Sequence, residues 1–190
     1  QPLFWQVLAL AVTVAIVSAG VSRGIERFTR ILMPVLLGLL IICDVRALTL
    51  PGALAGVEFL FKPDFSKLTG SVILMALGLS FFKLSLGMGT MTTYGSYQPE
   101  GANLVGTAAR VSLADTLISL LAGLAIFPAV FAFGFKPEAG PSLLFITIPM
   151  VFAKIPLGGL FSTLFFVLAS IATIGAMISL LEVPVAWLAE

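Results

Sequence analysis

Five long apolar segments alternate with short polar stretches along the chain. Each is at least about 19 residues long, which is enough for a helix to cross the hydrocarbon core of a bilayer. Most charged residues fall near the ends of these segments, where they can reach the membrane interface. The pattern therefore predicts an all-α membrane protein with five transmembrane helices, over residues 3–21, 31–50, 71–97, 103–134 and 157–181.

The third segment, 71–97, differs from the others at its centre. Lys83 places a charge there, and Gly87 and Gly89 each lower helix propensity by about 1 kcal/mol relative to alanine. A lysine at mid-bilayer costs about 2.5–3.5 kcal/mol on insertion scales, so it requires a partner or a water-filled cavity. Interrupted helices of this kind line the binding sites of membrane transporters. We therefore predict a discontinuous third span, broken within Phe81–Gly89.

The connections between the spans predict an orientation. The densest basic cluster, Arg23, Arg27 and Arg30, follows the first span and is expected in the cytoplasm. Counting the crossings then places the connections 51–70 and 135–156 outside the cell. The apolar stretch Ser142–Ala153 is only about 12 residues long, which favours an interfacial or re-entrant helix.

Several residues near the ends of the spans have expected positions. Asp44 and Arg46 are expected to snorkel to the interface at the far end of the second span. Pro34 is expected near the entry of that span, where proline is least disruptive. The fifth span is expected to end before Pro184, so Glu182 is predicted as an interfacial residue rather than part of a proton relay.

Composition supports the membrane assignment and narrows the function. The chain is 59% hydrophobic and 10% charged, whereas soluble domains carry about 25% charged residues. It has no histidine, no cluster of metal-ligating residues and no nucleotide-binding or nucleophile motif, so we predict neither an enzyme nor an organic cofactor. A net charge of +1 gives no reason to expect nucleic acid as a partner. The first residue is not Met, and we expect the chain to be a piece of a longer protein.

Two charged residues inside the spans are candidates for an ion pair. Lys83 and Asp115 lie in consecutive spans joined by a short turn, and a buried charge persists only when it is paired or neutralised. Ser119 is four residues after Asp115, on the same helix face, and could hydrogen-bond it. The alternative is that Asp115 lies in the headgroup region and Lys83 snorkels.

Four stretches carry a resemblance to a known family. The run SFFKLSLGMGTMTTYGSY resembles the unwound sixth helix of the neurotransmitter:sodium symporter family. SRGIERFTRILMP is similar to the family's loop between helices four and five, ADTLISLLAGLAIFP to its seventh helix, and ISLLEVPVAWL to its eighth. The resemblance implies helices four to eight of a leucine-transporter-type inverted-repeat fold.

The family's substrate contacts map onto four positions. By resemblance, Phe82 is the aromatic lid over an amino-acid substrate, and Ser85 contacts the substrate through its backbone and hydroxyl. Met88 and Leu180 fall at positions that form walls of the pocket.

The family's ion positions are altered in this chain. A Thr or Ser of the first sodium site is replaced by Lys83, and an Asn by Asp115. Ser119 falls at the position of a chloride ligand, or of the acidic residue that replaces chloride in many bacterial members. Sodium requires oxygen ligands and an ammonium group offers only donors. The resemblance therefore suggests that a Lys83–Asp115 pair substitutes for the first sodium ion.

The second sodium site is also incomplete. The family draws there on a backbone carbonyl, at Ala172, and on a Thr-Ser pair, which is Gly175-Ala176 in this chain. Sodium is thus the ion that the resemblance implies, but both sites lack ligands for it.

The resulting expectation is a fragment of a symporter for amino acids or related small amines, in a bacterial inner membrane. The lipid bilayer and the remaining transporter helices are its expected partners. A non-transporting membrane scaffold that retains the fold is the alternative. A channel-like pore is disfavoured, because no ring of charged side chains is visible.

Overall fold

A computed structural model describes residues 2–135 and 140–189, and every regular element in these ranges is helical. Short irregular helical turns lie at Val21–Ile25, Phe65–Lys67 and Leu143–Thr147. The prediction of an all-helical fold is confirmed. The main helices are α1 (Pro2–Ser18), α2 (Glu26–Leu48), α3 (Ala53–Phe61), α4 (Gly70–Lys83), α5 (Thr90–Ser96), α6 (Leu104–Ala132), α7 (Ile148–Phe152) and α8 (Gly158–Ala189).

Three helical stretches among the described residues are long and apolar enough to cross a membrane: Arg23–Leu48, Leu104–Ala132 and Gly158–Ala189. The first predicted span coincides with the shorter α1, and the third with two shorter helices, α4 and α5. The membrane boundaries of the five spans, and the outside location of connections 51–70 and 135–156, stay predictions.

The chain divides into two compact units. Unit 1 consists of Gln1–Met33, Asp64–Ala109 and Ile171–Glu190, and unit 2 of Pro34–Pro63 and Arg110–Ser170. The divisions fall inside α2, α6 and α8, so each of these helices contributes residues to both units.

Unit 2 contains an extended apolar core. The end of α2, the end of α6, α7 and the beginning of α8 all contribute buried side chains, including Leu40, Val130, Val151 and Phe165. Helix α3 approaches α6 very closely at Gly56, where a Cβ atom would lie 2.4 Å from the main-chain nitrogen of Pro128. Only glycine permits this approach, because the neighbouring atoms belong to the α6 backbone.

Unit 1 has a much smaller core. Its buried cluster consists of Val17, Ile25 and Ile178, with partly buried apolar residues packed around them. No residue of α4 is buried among the described residues. Most of the apolar surface of α4 is therefore exposed in this chain.

Two helices extend beyond their predicted limits. Helix α2 begins at Glu26, so Pro34 lies inside it rather than near its entry. Helix α8 continues to Ala189 with Pro184 inside, although the sequence predicted its end at residue 181. A proline removes one main-chain hydrogen bond, and apolar membrane helices tolerate such a loss when neighbouring groups compensate.

The expected snorkelling of Asp44 is wrong. The residue is only 6% exposed, so its side chain does not reach the interface on this chain. Asp44 shares a helix face with buried Leu40 and Ala47, at spacings of four and three residues. Arg46 lies off this face, half-buried, with its guanidinium carbon 5.7 Å from the centroid of the Phe161 ring.

The predicted short helix at Ser142–Ala153 is present as the turn Leu143–Thr147 followed by α7. Ile148 and Val151 in this segment are almost fully buried in the core of unit 2. The helix is thus part of the packed core of its unit, and its depth in the bilayer stays a prediction.

Candidate functional site

The predicted break in the third span is confirmed by the helix bounds. Helix α4 ends at Lys83, α5 begins at Thr90, and the six residues between them are irregular. The amide of Leu86 donates to the carbonyl of Phe81, at 2.9 Å, and the amide of Ser85 to the carbonyl of Phe82, at 3.1 Å. These two bonds form the Schellman arrangement that terminates helices.

Ser85 occupies the left-handed position of this termination, with φ of 54°. Glycine is the usual residue there, because a side chain in the left-handed region costs roughly 1–2 kcal/mol. Gly87 and Gly89 follow with φ of 78° and 82°. Strain at a non-glycine residue is often retained at functional sites. The role of Ser85 as a ligand contact stays a prediction.

Lys83 is the last residue of α4 and its side chain is exposed. The carbonyl end of a helix carries a partial negative charge, which favours a cation within the last turn. The carbonyl end of α4 therefore favours a positive charge at the break. In this chain the ammonium group of Lys83 is that charge.

The second half-helix, α5, packs against the end of α8 within unit 1. A Cβ atom on Gly89 would lie 2.9 Å from a methyl group of Val183, so the contact requires glycine or a shift of that side chain. Farther along, the phenol of Tyr97 donates a hydrogen bond of 2.6 Å to the carboxylate of Glu182. These contacts link the residues at both ends of α5 to α8.

Sequence reasoning missed the position of Glu182. The carboxylate was predicted to be interfacial, but Glu182 is only 4% exposed and bonded to Tyr97. The error came from ending α8 before Pro184. The available signal was Tyr97, because a buried tyrosine hydroxyl usually finds a polar partner. Glu182 is that partner.

The four predicted substrate residues all belong to unit 1. Phe82 is 71% exposed, Leu180 is 53% exposed and Met88 is 37% exposed. Ser85 is half-buried. Each is thus accessible on this chain, and their roles as lid, contact and walls stay predictions.

The predicted ion positions are divided between the units. Lys83, Ala172, Gly175 and Ala176 belong to unit 1, whereas Asp115 belongs to unit 2. The Lys83–Asp115 pair therefore stays a prediction.

Ser119 was predicted to hydrogen-bond Asp115, and its hydroxyl donates to the main-chain carbonyl of Asp115 at 2.6 Å. Ser119 therefore bonds within its own helix at that carbonyl.

The predicted second sodium position has no side-chain hydroxyl at Gly175 or Ala176. A Cβ atom on Gly175 would lie 3.6 Å from the terminal methyl of Met33, which is ordinary contact. The described residues contain no group of three or more His, Cys, Asp or Glu side chains that could hold a metal ion.

Comparison with known proteins agrees with this architecture. The family model described as the sodium:neurotransmitter symporter family matches residues 2–190. The chain belongs to this family. This is a family of transporters and not of enzymes.

Two of the individual relatives are bacterial proteins. The chain is 47% identical over 186 residues to an uncharacterized sodium-dependent transporter, YhdH, of Bacillus subtilis (strain 168), covering 98% of the chain and 41% of the relative. It is 42% identical over 188 residues to an uncharacterized sodium-dependent transporter of Haemophilus influenzae (strain ATCC 51907 / DSM 11121 / KW20 / Rd), covering 99% of the chain and 41% of the relative.

The crystal structure of MhsT in complex with L-phenylalanine matches the described fold with a TM-score of 0.86 and 48% identity. That match covers 98% of the chain and 42% of MhsT. The chain thus spans about two-fifths of the length of the relatives it matches. Its helices correspond to part of a leucine-transporter-type fold.

Proposed function

We propose that the intact protein is a symporter for amino acids or related small amines that works by alternating access. The broken helix α4–α5 is the observation that carries this proposal. Its termination frees main-chain groups at the centre of an apolar segment, where a bound substrate or ion can satisfy them. MhsT, which shares the fold, was crystallised with L-phenylalanine, and this supports an amino acid as the substrate class.

The substrate would contact the break itself. Ser85 would offer its hydroxyl and neighbouring main-chain groups, and Phe82 would close over the bound molecule. Met88 and Leu180 would line the pocket as apolar walls. The exposure of these side chains in the described chain supports their availability to a ligand.

Lys83 would replace the first sodium ion with a permanent positive charge. Its position at the carbonyl end of α4 supports this role, because a cation is favoured there. Asp115 would neutralise the ammonium group in the apolar surroundings, since an unpaired charge in lipid is costly. The pair would also be the candidate element for coupling transport to a proton gradient.

The second sodium site would bind its ion weakly or not at all. Gly175 and Ala176 supply no side-chain oxygen, and a hard cation depends on oxygen ligands. Coupling to sodium would therefore be weaker than in relatives that keep both sites.

Uptake of labelled amino acids into proteoliposomes tests this function. We expect uptake to persist when sodium is replaced by choline or potassium, and to respond to a proton gradient in a pH series. Uptake that disappears with sodium would contradict the altered coupling while supporting the transporter assignment. Absence of substrate-dependent uptake in every gradient would instead favour a membrane scaffold.

Variants of the first ion position give a matched comparison. Lys83→Thr alone leaves Asp115 without its charge partner. In the intact protein, where the remaining helices would cover the side chain of Lys83 that is exposed on this chain, breaking such a buried pair costs about 3–5 kcal/mol and should reduce folding or transport strongly. Lys83→Thr with Asp115→Asn restores an uncharged oxygen-bearing site and should recover transport with a sodium requirement. If the double variant is as impaired as the single one, the two residues do not act as a pair.

A further inference from the structure

Asp44 is the unexplained polar group of unit 2. It lies on α2, four residues before the last residue of that helix, and is 6% exposed. Neither of its carboxylate oxygens has a hydrogen-bond partner among the described residues. A buried polar atom without a partner is rare in native proteins and requires an explanation.

The buried residues that flank Asp44 on α2, Leu40, Cys43 and Ala47, belong to an apolar core. The core around its helix face comes from α6, the segment that contains α7, and the beginning of α8, with Ala125, Ala129, Ile148, Val151 and Phe165 as buried members. On its own helix, the adjacent Cys43 is a buried free thiol. Arg46 does not neutralise the carboxylate, because its guanidinium lies over Phe161 and donates to the hydroxyl of Thr49 at 3.3 Å.

The other charged groups of unit 2 are likewise outside hydrogen-bonding distance of Asp44. Lys62 is paired with Glu58, at 2.6 Å, and the ammonium group of Lys154 lies 4.6 Å from the centroid of the Phe135 ring. Arg110 and Asp115 lie near the start of the part of α6 that belongs to unit 2, whereas its buried core residues Ala125 and Ala129 lie near the end. Lys136 and Glu138 lie outside the described residues.

Only a very small ligand fits this place. The neighbouring cavity, lined by Cys43 and Ala47 but not by Asp44, has a volume of about 20 Å³, which accommodates one water molecule and gives the carboxylate no organic ligand. A cation would need several oxygen ligands, and the described residues contain no group of three acidic, thiol or imidazole side chains. A proton is the remaining cationic ligand.

We propose that Asp44 is a proton-binding site and that unit 2 holds its carboxyl group in the protonated, neutral form. Ionising it would leave an uncompensated charge in an apolar core, which proteins avoid by neutralising the group. The nearby carbonyl end of α2 also disfavours an anion. The folded protein then retains a proton that the unfolded chain releases, so its stability falls as the pH rises.

Carbodiimide labelling tests the protonation state directly. A protonated carboxyl adds across the C=N bond of dicyclohexylcarbodiimide, transferring its proton to nitrogen, and the adduct rearranges to a stable N-acylurea. In membranes that contain the intact protein, we expect this reagent to label the peptide that carries Asp44. Once the pH exceeds the value at which the group ionises, labelling should fall about tenfold per pH unit. Asp44→Asn should abolish the label.

Glu26 provides a matched control, because it is exposed and paired with Arg30. The apolar reagent should leave it unlabelled, whereas a water-soluble carbodiimide should reach it. Labelling of Asp44 that is constant from acidic to alkaline pH, or by the water-soluble reagent alone, would contradict the proposal.

If the reagent cannot enter the core, thermal unfolding tests whether the carboxyl group of Asp44 is protonated. The thermal unfolding midpoint of Asp44→Asn should equal or exceed that of the unchanged protein, with a difference that grows as the pH rises. A midpoint lowered by Asp44→Asn at every pH would overturn the proposal. If Lys136→Gln lowered the midpoint equally and the double variant no further, Asp44 would be an ionised partner of Lys136.

Discussion

The two units differ in how much apolar surface they bury and in whether their buried carboxyl group has a hydrogen-bond donor. Unit 2 buries a continuous core around the ends of α2 and α6, yet leaves Asp44 without a hydrogen-bond partner among the described residues. Unit 1 buries few side chains, yet gives its buried Glu182 a phenolic donor.

Regions that bind ligands are commonly drawn from the less stable parts of a protein. In this chain the broken helix and the predicted substrate positions both lie in the loosely packed unit. Because the chain spans about two-fifths of its relatives' length, the apolar surface that unit 1 exposes is open both to a substrate and to the remaining transporter helices.

The largest expected effect is Gly56→Ala in unit 2. The new Cβ would lie within about 2.5 Å of α6 main-chain atoms, which have little freedom to move. Overpacking of this kind costs about 3 kcal/mol. The matched control is Gly78→Ala on α4, where the Cβ meets no atom within 4 Å and should stabilise the helix by up to about 1 kcal/mol. Denaturation of both variants in detergent measures the contrast, and equal effects would refute the difference in packing.

The next effect is expected from Tyr97→Phe in unit 1. The substitution removes the donor to Glu182 and leaves a buried acceptor unsatisfied, at a cost of about 2–3 kcal/mol. A double-mutant cycle with Glu182→Gln measures the coupling between the two side chains through unfolding free energies. Additive losses would mean that the hydrogen bond does not stabilise the contact between α5 and α8.

A smaller effect is expected from Gly89→Ala at the start of α5. The backbone there has φ of 82°, a conformation that costs a side chain roughly 1–2 kcal/mol, and the added methyl group would also approach Val183. In a Val183→Ala background the steric part should vanish while the conformational part remains. A variant as stable as the unchanged protein would show that the break does not depend on this glycine.

The smallest effect is expected at the surface of unit 2. The hydrogen bond from Lys62 lowers the pKa of Glu58 below its ordinary value of 4.5. The interaction is present above the unfolded-state pKa and is lost as the pH falls through the folded-state pKa. NMR titration should show the Glu58 pKa rising in Lys62→Gln, with no measurable change in the unfolding midpoint, because exposed ion pairs contribute little.

Asp64 serves as the internal reference for that titration. Its pKa is lowered mainly by the hydrogen bond from the Ser66 side chain, with Lys67 nearby, and not by Lys62. A parallel change at Asp64 would indicate a general structural shift rather than the loss of one pair.

The sequence contained enough information to predict the helical fold and the break in the third span. Lys83, Gly87 and Gly89 lie close together inside an apolar segment, and their local preferences act without help from tertiary structure. The termination at Ser85 was less accessible, because only the backbone geometry shows that a serine occupies the glycine-like position.

The burial of Asp44 and Glu182 could not be predicted in the same way. Both were expected at an interface because each lies near an apparent helix end. Helix α8 continues through Pro184, so Glu182 does not lie at a helix end. Asp44 lies on the helix face of α2 that contributes Leu40 and Ala47 to the core. Both arrangements depend on contacts distant in sequence. The relation between Lys83 and Asp115 also depends on tertiary structure, and it stays a prediction.

The length of α8 has a consequence for the lipid environment. Its 32 residues extend about 48 Å along the helix axis, at about 1.5 Å per residue. The hydrocarbon core of a bilayer is about 30 Å thick, so this helix exceeds it considerably. Such hydrophobic mismatch is relieved by tilt or by projection of one end, and exposed Trp187 near the far end favours the headgroup region. Bilayers of different acyl-chain length should therefore change the tilt of α8, and with it the angle at which α5 is held.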